Sequence, residues 1–177
     1  VNAVGDMYYG DFANDKRCGT GTYLWENGDV YEGQWENNMH NGYGCYKWDN
    51  GDKYDGNWLA NMKHGNGVFT GGNGDVFEGE FSYDKKKSGV YKYSDGIIYE
   101  GTWKNDKRHG HGKYVVSKTN FYEGGYREDM RHGVGKYVYE DGAVYEGEWV
   151  NNLRHGNGKY TWPTGNSFSG KFDSNNM

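Results

Sequence analysis

The sequence predicts an all-β protein: an elongated solenoid of about eight β-hairpins, each of roughly 23 residues, forming one twisted antiparallel sheet. Three observations lead there. A five-residue block, aromatic–acidic–Gly–x–aromatic, recurs eight times in near-perfect register. A pair of glycines and a further aromatic follow six of the eight blocks at fixed offsets. The composition matches nothing else: 31 of 177 residues are Gly and 18 are Tyr, against 7 Trp, 7 Phe and a single Pro.

The block begins with Tyr8-Tyr9-Gly10-Asp11-Phe12 and returns as Tyr31-Glu32-Gly33-Gln34-Trp35, Tyr54-Asp55-Gly56-Asn57-Trp58 and Phe77-Glu78-Gly79-Glu80-Phe81. It continues as Tyr99-Glu100-Gly101-Thr102-Trp103, Tyr122-Glu123-Gly124-Gly125-Tyr126, Tyr145-Glu146-Gly147-Glu148-Trp149 and Phe168-Ser169-Gly170-Lys171-Phe172. Residues 1–177 therefore read as one array, with repeats starting near 8, 31, 54, 77, 99, 122, 145 and 168. Tyr31, Gly33 and Trp35 alternate with Glu32 and Gln34, the period of a strand with one aromatic face.

The second strand follows. Gly44, Tyr46 and Trp48 keep the same parity after Gly42, and other repeats match this. A loop of ~6–8 residues is expected between the two strands, and an Asn-Gly or Asp-Gly turn such as Asn50-Gly51 leads into the next repeat. Glycine on the aromatic face leaves a hole that a neighbouring ring fills. One hairpin is marginal alone, whereas stacked hairpins share a core. At ~4.8 Å per strand, the array would extend about 75–80 Å.

Composition also excludes functions. No apolar run approaches the ~18 residues of a spanning helix, and no signal-peptide core is present. Cys18 and Cys45 are too few for a disulfide framework, which suits a reducing, cytoplasmic setting. A net charge of −5 argues against general nucleic-acid binding. No phosphate-binding loop, Cys-x-x-Cys, zinc-protease helix or nucleophile elbow occurs, so a non-enzymatic role without a cofactor is expected.

The pattern breaks in places. The fourth repeat is one residue short, and Lys85-Lys86-Lys87 stands where the loop is expected. Because a slip inside a strand would exchange its faces, the deletion is expected in that loop. Gly71 and Val116 replace the last aromatic of their repeats, and Thr119-Asn120 replaces a turn pair. These are tolerated irregularities or partner sites. The chain opens in mid-repeat at Val1 and reads as part of a longer array.

The succession Tyr-Glu-Gly-x-Trp, His-Gly-x-Gly-x-Tyr and Asp/Asn-Gly resembles the MORN repeat (membrane occupation and recognition nexus) over residues 6–172. Such repeats occur in junctophilins, plant phosphatidylinositol-phosphate kinases, radial-spoke proteins and parasite cytoskeletal scaffolds. A chain made only of repeats, rich in Asn and Lys, is most similar to the apicomplexan scaffolds. That resemblance implies a structural rod of basal or cell-division complexes that homodimerises through C-terminal repeats, with cytoskeletal or motor-protein partners. The alternatives it implies are a phosphoinositide-binding membrane tether and a regulatory array of a larger enzyme.

Candidate sites follow. Residues 166–172 form a strand without a hairpin partner, and Phe168, Ser169, Gly170, Lys171 and Phe172 are the expected dimer edge. Tyr31, Trp35, Tyr54, Trp58, Tyr99, Trp103, Tyr145 and Trp149 would line an aromatic groove for a partner helix or peptide. Arg17, His40, Lys63, Arg108, Arg131 and Arg154 recur before the glycine pair. With Lys85, Lys86 and Lys87 they are either a solvated edge or a ridge for lipid headgroups. Glu32, Asp55, Glu78, Glu100, Glu123 and Glu146 read as a solvated acidic face. His64, His109, His132 and His155 share one position, where a loop-capping role is expected. Strand spacing puts them ~10 Å apart, too far to share zinc within one chain, so His132 or His155 could ligate zinc only where two chains meet.

Overall fold

The computed structural model describes residues 5–176; Val1 and Met177, at the two ends of the array, lie outside the described residues. Every regular element described is a strand. Contacts divide the chain into two compact units at Lys87/Ser88. The first holds β1 (Met7–Ala13), β2 (Lys16–Leu24), β3 (Val30–Glu36), β4 (Met39–Lys47), β5 (Lys53–Leu59), β6 (Met62–Thr70) and β7 (Val76–Ser82). β8 (Lys85–Lys92) contains the division. The second continues with β9 (Ile98–Lys104), β10 (Lys107–Ser117), β11 (Asn120–Arg127) and β12 (Met130–Val138). It ends with β13 (Val144–Val150), β14 (Leu153–Thr161) and β15 (Ser167–Phe172). Within each unit the sheet is open and antiparallel, with strands in chain order. Eight pentads thus give seven complete hairpins, and the eighth pentad is β15 alone.

The connection inside each hairpin corrects the expected loop of six to eight residues. Asn37 and Asn38 alone join β3 to β4, both in the left-handed region at φ 50° and 69°. The same two-residue turn recurs at Asn61, Asp129 and Asn152, always with Asn or Asp second. Positive φ at both positions is the hairpin turn that matches strand twist, and Asn and Asp tolerate it. The residues assigned to a loop are strand, interrupted by a bulge. Register shifts between Gly33 and Trp35, and Gly42 bends back at φ 88°.

The bulge explains the first aromatic of each pentad. Residue 34 drops out of the ladder, and the Tyr31 hydroxyl donates to its carbonyl at 2.9 Å. Tyr54, Tyr99, Tyr122 and Tyr145 repeat that bond at 2.9–3.1 Å. To reach it the ring lies flat over the glycines of its own hairpin: a Cβ on Gly44 would stand 2.3 Å from the Tyr31 hydroxyl. The hole is therefore filled by the repeat's own tyrosine, not by a neighbour's ring.

Rings then link the hairpins edge to face. In the first unit the chain of contacts runs Tyr8, Trp35, Tyr31, Trp58, Tyr54, Phe81 and Phe77, with centroids 5.0–5.7 Å apart and planes at 80–88°. In the second it runs Trp103, Tyr99, Tyr126, Tyr122, Trp149, Tyr145 and Phe172 at 4.9–5.3 Å. Such pairs contribute ~0.5–1.5 kcal/mol beyond the burial of their area. The indoles of Trp35, Trp58 and Trp149 donate to the carbonyls of Gly21, Gly44 and Gly135 one strand back, at 3.0–3.2 Å. Each ring is both core and cross-strand tie.

The short fourth repeat keeps its two-residue turn, Tyr83-Asp84. Lys86 stands five residues after Phe81, as His40 does after Trp35, but two residues rather than three separate it from the next pentad-facing glycine, Gly89. The missing residue falls between Lys86 and Gly89, the stretch that carries the bulge in other hairpins, and Lys85–Lys87 begins a strand instead of filling a loop. A bulge carries an extra residue by nature, so its loss does not exchange the strand's faces.

Candidate functional site

The expected groove residues are the core. Tyr31, Trp35, Tyr54, Trp58, Tyr99, Tyr145 and Trp149 are buried, and Trp103 is half-buried. Burial pushes the Tyr31, Tyr54 and Tyr99 hydroxyls far above the usual phenol range, and Tyr122 up to about 12. What a partner can reach on this face is a second, half-buried row of rings. It runs Tyr23, Trp25, Tyr46, Trp48 and Phe69 in the first unit, with centroids 4.4–6.1 Å apart. Parity placed these rings on the correct face, but only the tyrosine–glycine packing tells which row is sealed.

The basic residues do not form a free ridge. The Arg131 guanidinium lies 4.5 Å from the Trp149 centroid and 5.2 Å from that of Tyr137. Arg17 sits equally close to Trp35, and Arg154 is 5.1 Å from Tyr160. Arg108 is 5.2 Å from Tyr126 and pairs with Asp129 at 3.2 Å. The Lys63 ammonium is 5.0 Å from Phe69, and Lys86 lies 5.9 Å from Phe77. Lys85 and Lys87 are exposed, and Lys87 pairs with Glu80 at 2.7 Å. Arg17, Lys63, Lys86, Arg108, Arg131 and Arg154 cover aromatic rings with their stems and charge, which is their structural use. His40 occupies the same place uncharged: it stacks on Tyr31 at 3.7 Å, and burial beside Arg17 holds its imidazole down at about 4.

A feature missed in the sequence ties each basic residue to the next hairpin. The second turn residue accepts the backbone N–H of the basic residue 21 positions earlier: Asn38 from Arg17, Asn61 from His40, Asp84 from Lys63, Asp129 from Arg108, Asn152 from Arg131 and Asn175 from Arg154, at 2.7–3.0 Å. The signal was the unbroken run of Asn or Asp immediately before each second strand.

The opposite face is not a simple acidic one. In the second unit Glu100, Lys113, Glu123, Lys136, Glu146 and Lys159 stand opposite one another on successive strands. Lys113–Glu123 and Lys136–Glu146 close to 3.2 and 3.1 Å. The first unit has Thr22, Cys45 and Val68 in place of those lysines. A trough of 710 Å3 lies there, floored by Gly21 and Gly33. Burial pushes the Cys45 thiol up, so this cysteine is not an activated nucleophile.

At His64 and His132 the ring Nδ1 does not make the expected loop cap. His64 and His132 have buried Nδ1 atoms without a hydrogen-bond partner, and His155 is exposed, 4.0 Å from Asp173. Among the described residues no three His, Cys, Asp or Glu side chains gather to hold a metal. At the expected dimer edge, Phe168 is half-buried. Phe172 is 2% exposed, packed 4.9 Å from Tyr145. Its ring is already used inside the chain, which leaves Ser169, Gly170, Lys171 and the outer backbone of β15 as what a partner could meet.

The MORN repeat family matches residues 8–30, 31–53, 54–76, 77–98, 99–115, 122–144 and 145–167, and the chain belongs to that family. Repeats of this kind are generally non-catalytic modules. No curated protein sequence matches the chain. Among solved structures, the chain is similar to the SAS-4 (dCPAP) TCP domain of Drosophila melanogaster, solved in complex with a proline-rich motif of Ana2 (dSTIL). The TM-score is 0.54 at 12% identity, over 98% of this chain and 94% of that one, a likeness of fold alone. Virginiamycin B lyase from Staphylococcus aureus aligns over 96% of this chain and 76% of that one at 10% identity, with a TM-score of only 0.22.

Proposed function

We propose that the array is a non-enzymatic structural scaffold that homodimerises through β15 and organises cytoskeletal or membrane-adjacent assemblies such as a basal or cell-division complex. The observation that carries this reading is the edge-to-face ring chain. Within each unit, pentad aromatics contact rings of the neighbouring hairpin, so stiffness and spacing are set by repeat number, as suits a protein whose work is geometric. Membership of the MORN family supports a repeat scaffold or protein-interaction module. The homodimer rests on β15, which pairs with β14 and has no strand on its other side among the described residues. Engagement of the arginines with rings and turn residues weighs against a headgroup-binding ridge.

Light scattering on purified protein tests the reading. A mass twice 20.2 kDa is expected, falling to 20.2 kDa when Lys171→Pro blocks the strand edge. A single-chain mass for the unaltered protein at micromolar concentration overturns the dimer.

A further inference from the structure

In four hairpins the last aromatic of the repeat bridges two tyrosine-row rings. Trp25 lies 4.4 Å from Tyr23, in its own strand line, and 5.1 Å from Tyr46 of the next hairpin, with His40 at 6.0 Å. Trp48 spans Tyr46 and Phe69 at 4.4 and 6.1 Å. Tyr93 spans Tyr91 and Tyr114 at 4.5 and 6.3 Å, and Tyr139 spans Tyr137 and Tyr160 at 4.4 and 6.0 Å. In the hairpin of β9 and β10 that position is Val116, which is 44% exposed. Among the described residues no ring joins Tyr114 to Tyr137.

An opening of 380 Å3 remains, lined by Tyr114, Tyr137 and Arg131, with Tyr122, Tyr126 and Arg108 around them. Tyr114, Tyr137 and Arg131 hold the positions that Tyr23, Tyr46 and His40 hold around Trp25. The match to the MORN repeat also stops at residue 115 and resumes at 122. In the same stretch Asn120 replaces the aspartate that elsewhere, as Asp29, accepts both the next tyrosine hydroxyl and a turn N–H. Its Oδ1 is buried without a partner.

We propose that this notch captures a tryptophan side chain of a partner protein, which supplies in trans the bridging ring that Val116 omits. The observation that carries it is the same three-sided seat occupied by Trp25 within the chain. Tryptophan is favoured because Arg108 and Arg131 flank the seat and indole is the strongest cation–π acceptor. The partner ring would lie tilted between Tyr114 and Tyr137 as Trp25 does between Tyr23 and Tyr46.

This deepens the protein-interaction reading of the scaffold and rests on it. The probe is N-acetyl-L-tryptophanamide, titrated into the full chain with amide NMR as the readout and N-acetyl-L-leucinamide as control. Saturable shifts at residues 114, 131 and 137 are expected from the tryptophan probe only. Val116→Trp should fill the seat internally and weaken binding roughly tenfold or more, the scale of one lost aromatic contact. Val116→Tyr is the second filling variant, and Val134→Trp, on the opposite face, should leave binding unchanged. Equal shifts from the leucine probe, no saturable shift at the notch, or unaltered binding in both filled variants overturns the proposal. Failure of the probe in a dimeric protein removes the notch alone. Probe binding by a monomer removes the dimer and leaves the notch.

Discussion

The side-chain Oδ1 of Asn152 accepts the backbone N–H of Arg131 at 2.9 Å, and the Arg131 guanidinium donates back to the Asn152 carbonyl at 3.1 Å. One residue thereby completes its own turn at φ 71° and fastens the preceding hairpin to it. Asn152→Ala loses the acceptor and places a Cβ residue in the left-handed region, at a combined cost of about 2 kcal/mol. Asn152→Gly keeps the turn and should lose only the bond, about 1 kcal/mol. Urea denaturation of both variants checks the order. Equal stability of Asn152→Ala and the unaltered protein contradicts the clamp.

A methyl at Gly44 cannot coexist with the Tyr31 ring, whose Oη would be 2.3 Å away and whose neighbour Gly33 packs equally tightly. Gly44→Ala should displace a fully buried tyrosine and cost about 3–5 kcal/mol, the scale of losing a core aromatic. Val134→Ala, at a residue 73% exposed, should fall within ~0.5 kcal/mol of the parent. Thermal unfolding compares the two, and a tolerated Gly44→Ala contradicts the packing described.

His40 gives the fold a pH dependence of definite sign. Its imidazole titrates near 4 when folded, against ~6.5 when unfolded, so the unfolded chain binds more protons between those values. The contribution is complete above pH ~6.5 and is lost as pH falls toward 4, to the extent of about 3 kcal/mol. His40→Phe keeps a ring against Tyr31 and should remove that part of the slope. Urea midpoints at pH 7 and 4.5 read it, and identical slopes in the two proteins contradict the assignment.

The charge ladder of the second unit predicts salt-dependent behaviour. Lys136→Glu would place three carboxylates in a row with Glu123 and Glu146. A loss of about 1 kcal/mol is expected at low ionic strength, shrinking toward half at 0.5 M salt, because these side chains are exposed. A loss independent of salt would point to packing instead.

How much of this was legible varies by element. The pentads gave strand, face and repeat because Tyr31, Gly33 and Trp35 alternate with polar residues. The hairpin turn was hidden: Asn37-Asn38 carries no glycine, and Gly42, four residues on, drew the loop toward itself although its positive φ serves the bulge. The groove was misplaced because parity distinguishes faces but not rows. Only the reach of the Tyr31 hydroxyl to the carbonyl of residue 34 seals one row and leaves Trp25 and Trp48 accessible. The arginines read as a ridge because nothing local shows that Trp149, 18 positions beyond Arg131, lies beneath it.

Hydrogen exchange on β15 as a function of protein concentration tests the scaffold most directly. If the outer edge of Ser167–Phe172 pairs with a second copy, alternate amides of this strand should gain protection as concentration rises, with β14 unchanged. Protection in β15 that is the same at every concentration, with only the amides bonded to β14 slowed, would contradict the dimer.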